Sequence, residues 1–294
     1  MAVWRWRTFG TSAEVNRGRG AGYHFLRLTL AALLSQSAAS QPVSAESVTV
    51  AVAANFASTL NTIAEQFSER TGHRVETVVG ATGLLSTQIE RGAPFDVFMA
   101  ADTDRPSRLV AKRLAAADSQ LTYALGRLVF WVPGALDTVD VERFMNSTDH
   151  RFAMANPRLA PYGSAALDVI TSLSHTGALS ERAVLGQNVG GAFTLVQSGN
   201  LGAGFVALSQ VLIAGVPTRE FQVIASDRHG PIAQDAVLTL HGSDNPAAQA
   251  FIAYLGKEEV QLLIRAAGYD LPEGLLREAA AQNASGSVSR EARR

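Results

Sequence analysis

The chain has 294 residues, 47% apolar and 17% charged, with a formal net charge of −1; that apolar content supports more than one packed core and excludes a disordered or fibrous protein. Five arginines and one acid lie in residues 1–45 and four arginines and three glutamates in 273–294, which leaves 16 basic and 22 acidic residues in 46–272. A body near −6 has no basic footprint for nucleic acid or an anionic membrane, and the lack of any cysteine excludes disulfides, thiolate metal sites, cysteine nucleophiles and a lipid-modified cysteine anchor.

At the amino end, Arg17, Arg19 and Arg27 precede the apolar run Leu28 to Leu34, and Val43-Ser44-Ala45 has the small-x-small form of a signal-peptidase site. This predicts a leader over 1–45, cleaved after Ala45, and export to the periplasm. The apolar run is too short for a bilayer-spanning helix. The polar residues ahead of the basic region lead us to expect a translation start downstream of Met1.

Beyond the leader, strand-like and helix-like segments alternate, the pattern of an α/β protein with mostly parallel sheets. Val48 to Ala53 is a buried strand, and residues 57–70 put Leu60, Ile63, Ala64 and Phe67 on one helical face that stops at Thr71-Gly72. Val75 to Val79 is the second strand, followed by a short helix near 83–91. Phe95 to Ala101 is the third, followed by a helix near 105–115 that Asp104 can cap. A second set runs through the strand Leu128 to Val132, the strand Arg151 to Ala155, helices at 163–174 and 190–198, and the strands Ala203 to Val206 and Phe221 to Ile224. Ala236 to Leu240 is again a strand. Asn245-Pro246 opens a helix with a cap and a first-turn proline, and the stretch 258–267 stops at Gly268.

The expected fold is therefore α/β, two doubly wound lobes joined by two crossovers near 126 and 225. Lobe I takes 46–126 plus 226–272, lobe II takes 127–225, and 273–294 form a flexible tail. In such sheets ligands sit beyond the carboxyl ends of the strands. Four junctions there carry small or polar residues: Ala53-Ala54-Asn55, Gly80-Ala81-Thr82-Gly83, Pro161-Tyr162-Gly163-Ser164 and Asn188-Val189-Gly190-Gly191. A helix start has unpaired N–H donors and partial positive charge, so two per lobe could wrap one anion without lysine or arginine.

The runs AVAANFASTLNTIAEQF, GATGLLSTQIERGAPFDVFMAAD, ANPRLAPYGSAALDVI and GQNVGGAFTLVQSGNLGAGFVALSQV, in that order across 48–272, resemble the periplasmic molybdate-binding proteins of ABC transporters. The resemblance implies a class II periplasmic-binding fold and a monomeric receptor that passes molybdate, and tungstate with it, to a membrane permease. It implies neither a catalytic residue nor a cofactor. Its oxyanion positions fall on Asn55, Thr82, Tyr162 and Val189, the last two acting mainly through N–H groups, with no direct ligand to the metal atom. Ala207 stands where some members place a tyrosine hydroxyl on the anion, so either the cage has one fewer donor or the amide of Asn55, which we favour, or the phenol of Tyr162 supplies it. A rigid cage sized for molybdate would leave the smaller sulfate under-coordinated, and phosphate, protonated near neutrality, would want an acceptor.

The alternatives are a receptor for sulfate or phosphate, or an enzyme on the same scaffold with Thr82 or Ser164 as nucleophile. A hydroxyl nucleophile needs a base in reach, and neither residue stands in a histidine or lysine partner motif. Asp96, Asp102 and Asp104 read as structural carboxylates rather than a catalytic pair, and the six histidines show no metal-ligand spacing.

Overall fold

The computed structural model describes residues 45–147, 150–173 and 181–272. The expected leader before Ala45 and the expected tail 273–294 lie outside them. The first α/β set runs β1 (Ser47–Ala53), α1 (Ala57–Thr71), β2 (Arg74–Gly80), α2 (Thr82–Glu90), β3 (Val97–Met99), α3 (Asp104–Ala111) and β4 (Leu121–Gly126). The second runs β5 (Leu128–Trp131), α4 (Val141–Ser147), β6 (Phe152–Ala155), α5 (Pro161–Ser172), β7 (Ala183–Gly186), α6 (Val189–Gln197), β8 (Gly204–Ala207), α7 (Leu208–Ile213) and β9 (Phe221–Val223). The chain then returns through β10 (Ile232–Leu238), α8 (Pro246–Leu255) and α9 (Glu258–Ala266).

Two five-stranded sheets result, ordered β2-β1-β3-β10-β4 and β7-β6-β8-β5-β9. Strands β1, β2 and β3 pair in parallel, while β10 pairs antiparallel with both β3 and β4. The chain passes between the sheets twice, at Gly126 to Leu128 and between Val223 and Ile232. Its last described segment comes back to the first sheet, where Leu125 bridges Asp270. The fold is the expected two-lobed α/β architecture.

Both faces of each sheet are covered, which is why the strands read as continuous apolar runs. Along β1, Val48, Val50 and Val52 face Leu60, Phe67 and Phe251, whereas Ala51 points the other way into Leu85, Phe98 and Leu109. In the second lobe, Phe130, Phe152 and Phe205 fill one face, and Val129, Ala153 and Val206 the other. Helix ends follow local chemistry. Gly72 closes α1 at φ 75°, its N–H on Ser68 O at 2.9 Å, and Asn245 caps α8 through Ala247 N at 2.9 Å and Ala248 N at 3.3 Å.

Some expectations need correction. Strand β4 and the short elements α4, β7 and α7 carry too little periodicity to be read from sequence, and β10 begins at Ile232, four residues before the expected Ala236. Asp104 caps nothing: α3 begins on it, and the carboxylate that accepts the first-turn N–H is Asp102, whose Oδ1 lies 3.0 Å from Arg105 N. Asp104 instead makes an exposed 3.6 Å pair with Arg108. Asp96 is structural, accepting from Thr49 N at 2.7 Å and facing His241 Nδ1 at 3.1 Å.

Candidate functional site

Each of the four junctions is built by its own element. Beyond β1 the chain turns sharply, with Ala54 N on Gly80 O at 3.0 Å and Phe56 N on Ala53 O at 2.9 Å, leaving Asn55 between them. Ala81, extended at φ −76° and ψ 135°, leads into α2, so Thr82 is its first residue. Pro161 opens α5, with Tyr162 behind it. Asn188 caps α6, its side chain accepting from Gly191 N at 2.9 Å, and Val189 follows.

All four residues are buried, at 3% exposure for Asn55, 1% for Thr82, 2% for Tyr162 and 3% for Val189. Their backbone N–H groups have no acceptor among the described residues. Buried donors are ordinarily paired, so four such groups at helix starts are candidates to donate to a bound anion. Thr82 adds a hydroxyl. Its Oγ1 accepts from Ala101 N at 3.2 Å, which leaves its own hydrogen to donate.

The two lobes meet around these junctions. Ala53 and Ala101 of the first lobe share one apolar cluster with Ala160, Tyr162 and Val189 of the second. Gly83 N donates to Leu159 O across the gap at 2.9 Å, and a Cβ on Gly190 would lie 3.3 Å from that of Ala54. The Asp102–Arg105 ion pair sits at the rim, where Arg105 Nη2 also reaches Arg158 O at 3.4 Å. Beside it a cavity of about 250 Å³ opens between Asp102, Arg105, Pro161, Ser164 and Asp168.

Two details differ from expectation. The Asn55 amide faces inward, with Nδ2 donating to Gln234 Oε1 at 2.8 Å and to Tyr269 OH at 3.2 Å, so both its hydrogens are used within the protein. Asn55 therefore does not replace the donor missing at Ala207, which is itself fully buried on β8 against Leu128. The Tyr162 hydroxyl is different: it is buried and has no partner among the described residues, as is Gln234 Nε2. Burial raises the Tyr123 and Tyr162 phenols well above their ordinary range and pushes Tyr269 up to about 12, so all three are neutral donors near pH 7.

Gln234, Ser209 and Tyr269 were not read as site residues. Tyr269 OH donates to Asn55 O at 2.8 Å and lies 2.9 Å from Ser209 Oγ, which in turn approaches Asn55 O at 3.3 Å. The available signal was the pair Gln234-Asp235 inside an otherwise apolar strand. Among the described residues no group of three or more His, Cys, Asp and Glu could hold a metal ion, and no helix is long and apolar enough to cross a membrane.

Two α/β lobes crossed twice by the chain, with unpartnered donors buried between them, define a solute-binding protein, and the family model described as bacterial extracellular solute-binding protein matches residues 48–270. The molybdate-binding protein ModA of Azotobacter vinelandii is 43% identical over 230 residues, covering 77% of this chain and 91% of that protein. ModA of Rhodobacter capsulatus is 37% identical over 228 residues, covering 78% and 90%. The structure of the Azotobacter vinelandii periplasmic molybdate-binding protein superposes with a TM-score of 0.71 at 35% identity, over 76% of this chain and 99% of that one. The chain belongs to the ModA family of molybdate-binding proteins.

Proposed function

We propose that this chain is the periplasmic receptor of an ABC importer, which captures molybdate, and tungstate as well, between its lobes and delivers it to the membrane permease. The observation that carries this reading is the set of four buried N–H groups without acceptors among the described residues, at Asn55, Thr82, Tyr162 and Val189, two on each lobe. The ModA relatives supply the anion's identity. In this reading 46–126 with 226–272 and 127–225 are the two moving bodies, and a cleaved leader ending at Ala45 directs export.

We assign the donor absent at Ala207 to the Tyr162 hydroxyl, a buried neutral group beside Gly126 with the Gln234 amide and the Arg127 backbone as its neighbours. A neutral cage suits a dianion that must later be released: preorganised dipoles hold the charge in a dry site, and no fixed cation has to be left unpaired on release. The enzymatic alternative gains no support, because Thr82 Oγ1 has the Ala101 N–H as its neighbour and no hydrogen-bonded base among the described residues. Calorimetry of the mature protein against molybdate, tungstate, sulfate and phosphate tests the proposal. Tight binding of the first two is expected, and tight sulfate binding without a response to molybdate would overturn it.

A further inference from the structure

We propose that Gln234 is a positioning residue for the anion site, acting on both lobes through the two ends of its amide while touching no anion itself. The inference rests on the site being the one formed at Asn55, Thr82, Tyr162 and Val189.

Gln234 lies in β10, the strand that receives the chain as it returns from the second lobe, and its side chain is fully buried. The pairing of β10 with β4 shifts between Gln234 and Asp235: Gln234 stands opposite Ala124 and Asp235 opposite Thr122, so Tyr123 is the extra residue. Such a bulge re-aims side chains. Asp235 is held on one side by Thr122 Oγ1 at 2.6 Å and Gln120 Nε2 at 2.7 Å. Gln234 reaches elsewhere, its Oε1 accepting from Asn55 Nδ2 at 2.8 Å and from Tyr123 OH at 3.2 Å.

Its other end is the unusual one. Gln234 Nε2 and the Tyr162 hydroxyl are both buried without a partner, and both crowd Gly126, where an added Cβ would strike the hydroxyl and lie 2.9 Å from Nε2. The two groups are near enough for Gln234 to act against the burial that raises the Tyr162 phenol. In this proposal the Gln234 amide and the Arg127 backbone are the neighbours of the phenol oxygen, and the phenol hydrogen is left for the anion. Methionine would fill much the same space with no polar group to satisfy. What glutamine adds is one side chain that orients a binding position in each lobe, Asn55 through Oε1 and Tyr162 through Nε2, at the strand next to the second crossover.

The test compares the full mature wild-type protein with Gln234→Met and Gln234→Glu by calorimetry and stopped-flow binding of molybdate. For Gln234→Met we expect an anion-free melting temperature at or above wild type, with affinity at least tenfold weaker and faster dissociation. For Gln234→Glu we expect affinity to fall as pH rises from 6 to 8.5 while that of wild type stays level. The neutral acid keeps a hydrogen for Tyr162, whereas the ionised one loses it and brings negative charge beside a dianion. The titratable groups around that position are Tyr123, Tyr162 and Tyr269, kept protonated through this range by burial, Asp235, turned to the other side, and Asp102, which acts on Tyr123 and is paired with Arg105. Wild-type affinity in Gln234→Met together with a level profile in Gln234→Glu would overturn the proposal. So would loss of melting temperature without loss of affinity in either variant, which marks a purely structural residue. If wild type itself ignores molybdate, the site reading fails first and this inference falls with it.

Discussion

Gly83→Ala separates folding from closure. Gly83 is the second residue of α2, at the point where the lobes touch: its N–H is on Leu159 O, and an added Cβ would lie 3.1 Å from that oxygen and 3.1 Å from Arg105 Nη2. The arginine can swing aside. The Leu159 carbonyl cannot easily do so, since it directly precedes Ala160, the N-cap of α5. Within the first lobe alone, alanine removes the conformational cost of a helical glycine, a gain of about 0.5–1 kcal/mol. Forcing a methyl into the interlobe contact costs about 1–3 kcal/mol, and that penalty exists only when the lobes are closed. If binding requires the closed form, as the proposed function has it, apparent affinity should drop roughly five- to 150-fold. Calorimetry with molybdate and thermal melts of the anion-free protein measure the two effects separately. Weaker binding with an equal or higher anion-free melting temperature is expected. Unchanged affinity would refute the claim that binding requires this approach of the lobes.

Thr82→Ala removes a hydroxyl donor and also the acceptor of Ala101 N; losing one hydrogen bond to a charged ligand costs about 1.5–3 kcal/mol, which calorimetry should register as a roughly ten- to hundredfold weaker Kd. Wild-type affinity there would restrict the contact to the Thr82 N–H. Asn245→Ala strips the cap of α8 and should lower unfolding free energy by about 0.5–2 kcal/mol in urea titrations while leaving molybdate affinity unchanged; a weakened Kd would mean that the cap communicates with the cleft. Raising pH should destabilise the fold through the buried phenols. Tyr123, Tyr162 and Tyr269 titrate higher in the folded chain than in the unfolded one, so the unfolded state loses protons first, and stability falls as pH climbs from about 10 towards 12. Urea unfolding at pH 8, 10 and 11 with phenolate absorbance checks this, and constant stability would show the phenols to be solvated.

The legible parts of the fold were those written in local periodicity. The helix at Ala57–Thr71 shows its apolar face every three to four residues and its stop at Gly72, and Asn245-Pro246 announces a cap that the structure forms. Strand β4 was missed because Leu-Thr-Tyr-Ala-Leu-Gly does not alternate, and the structure shows why: the bulge at Gln234/Asp235 breaks its register just where Tyr123 turns inward. Residues 232–235 hid the start of β10 for the same reason. Two polar residues in a row read as loop, yet both are buried and bonded to partners more than 100 positions away.

The candidate site divides along the same line. A helix start is a local property, so junctions able to offer free N–H groups can be picked out from glycine, proline and cap residues in the chain. Side-chain direction is not local. Asn55 was expected to turn its amide to the anion because it is a short polar residue at the right junction; what decides its orientation is Gln234, 179 positions later, and Tyr269, 214 positions later. Once both hydrogens of that amide are committed, the position has its backbone N–H left to offer, and the buried hydroxyl proposed to serve instead is that of Tyr162, for which Gln234 is again the neighbour. On the proposed reading, one buried glutamine decides which of two polar side chains, on opposite lobes, keeps a hydrogen for the anion. On that reading the consequence of alanine at 207 is not local to Ala207: it depends on the strand beyond the second crossover, where Gln234 lies.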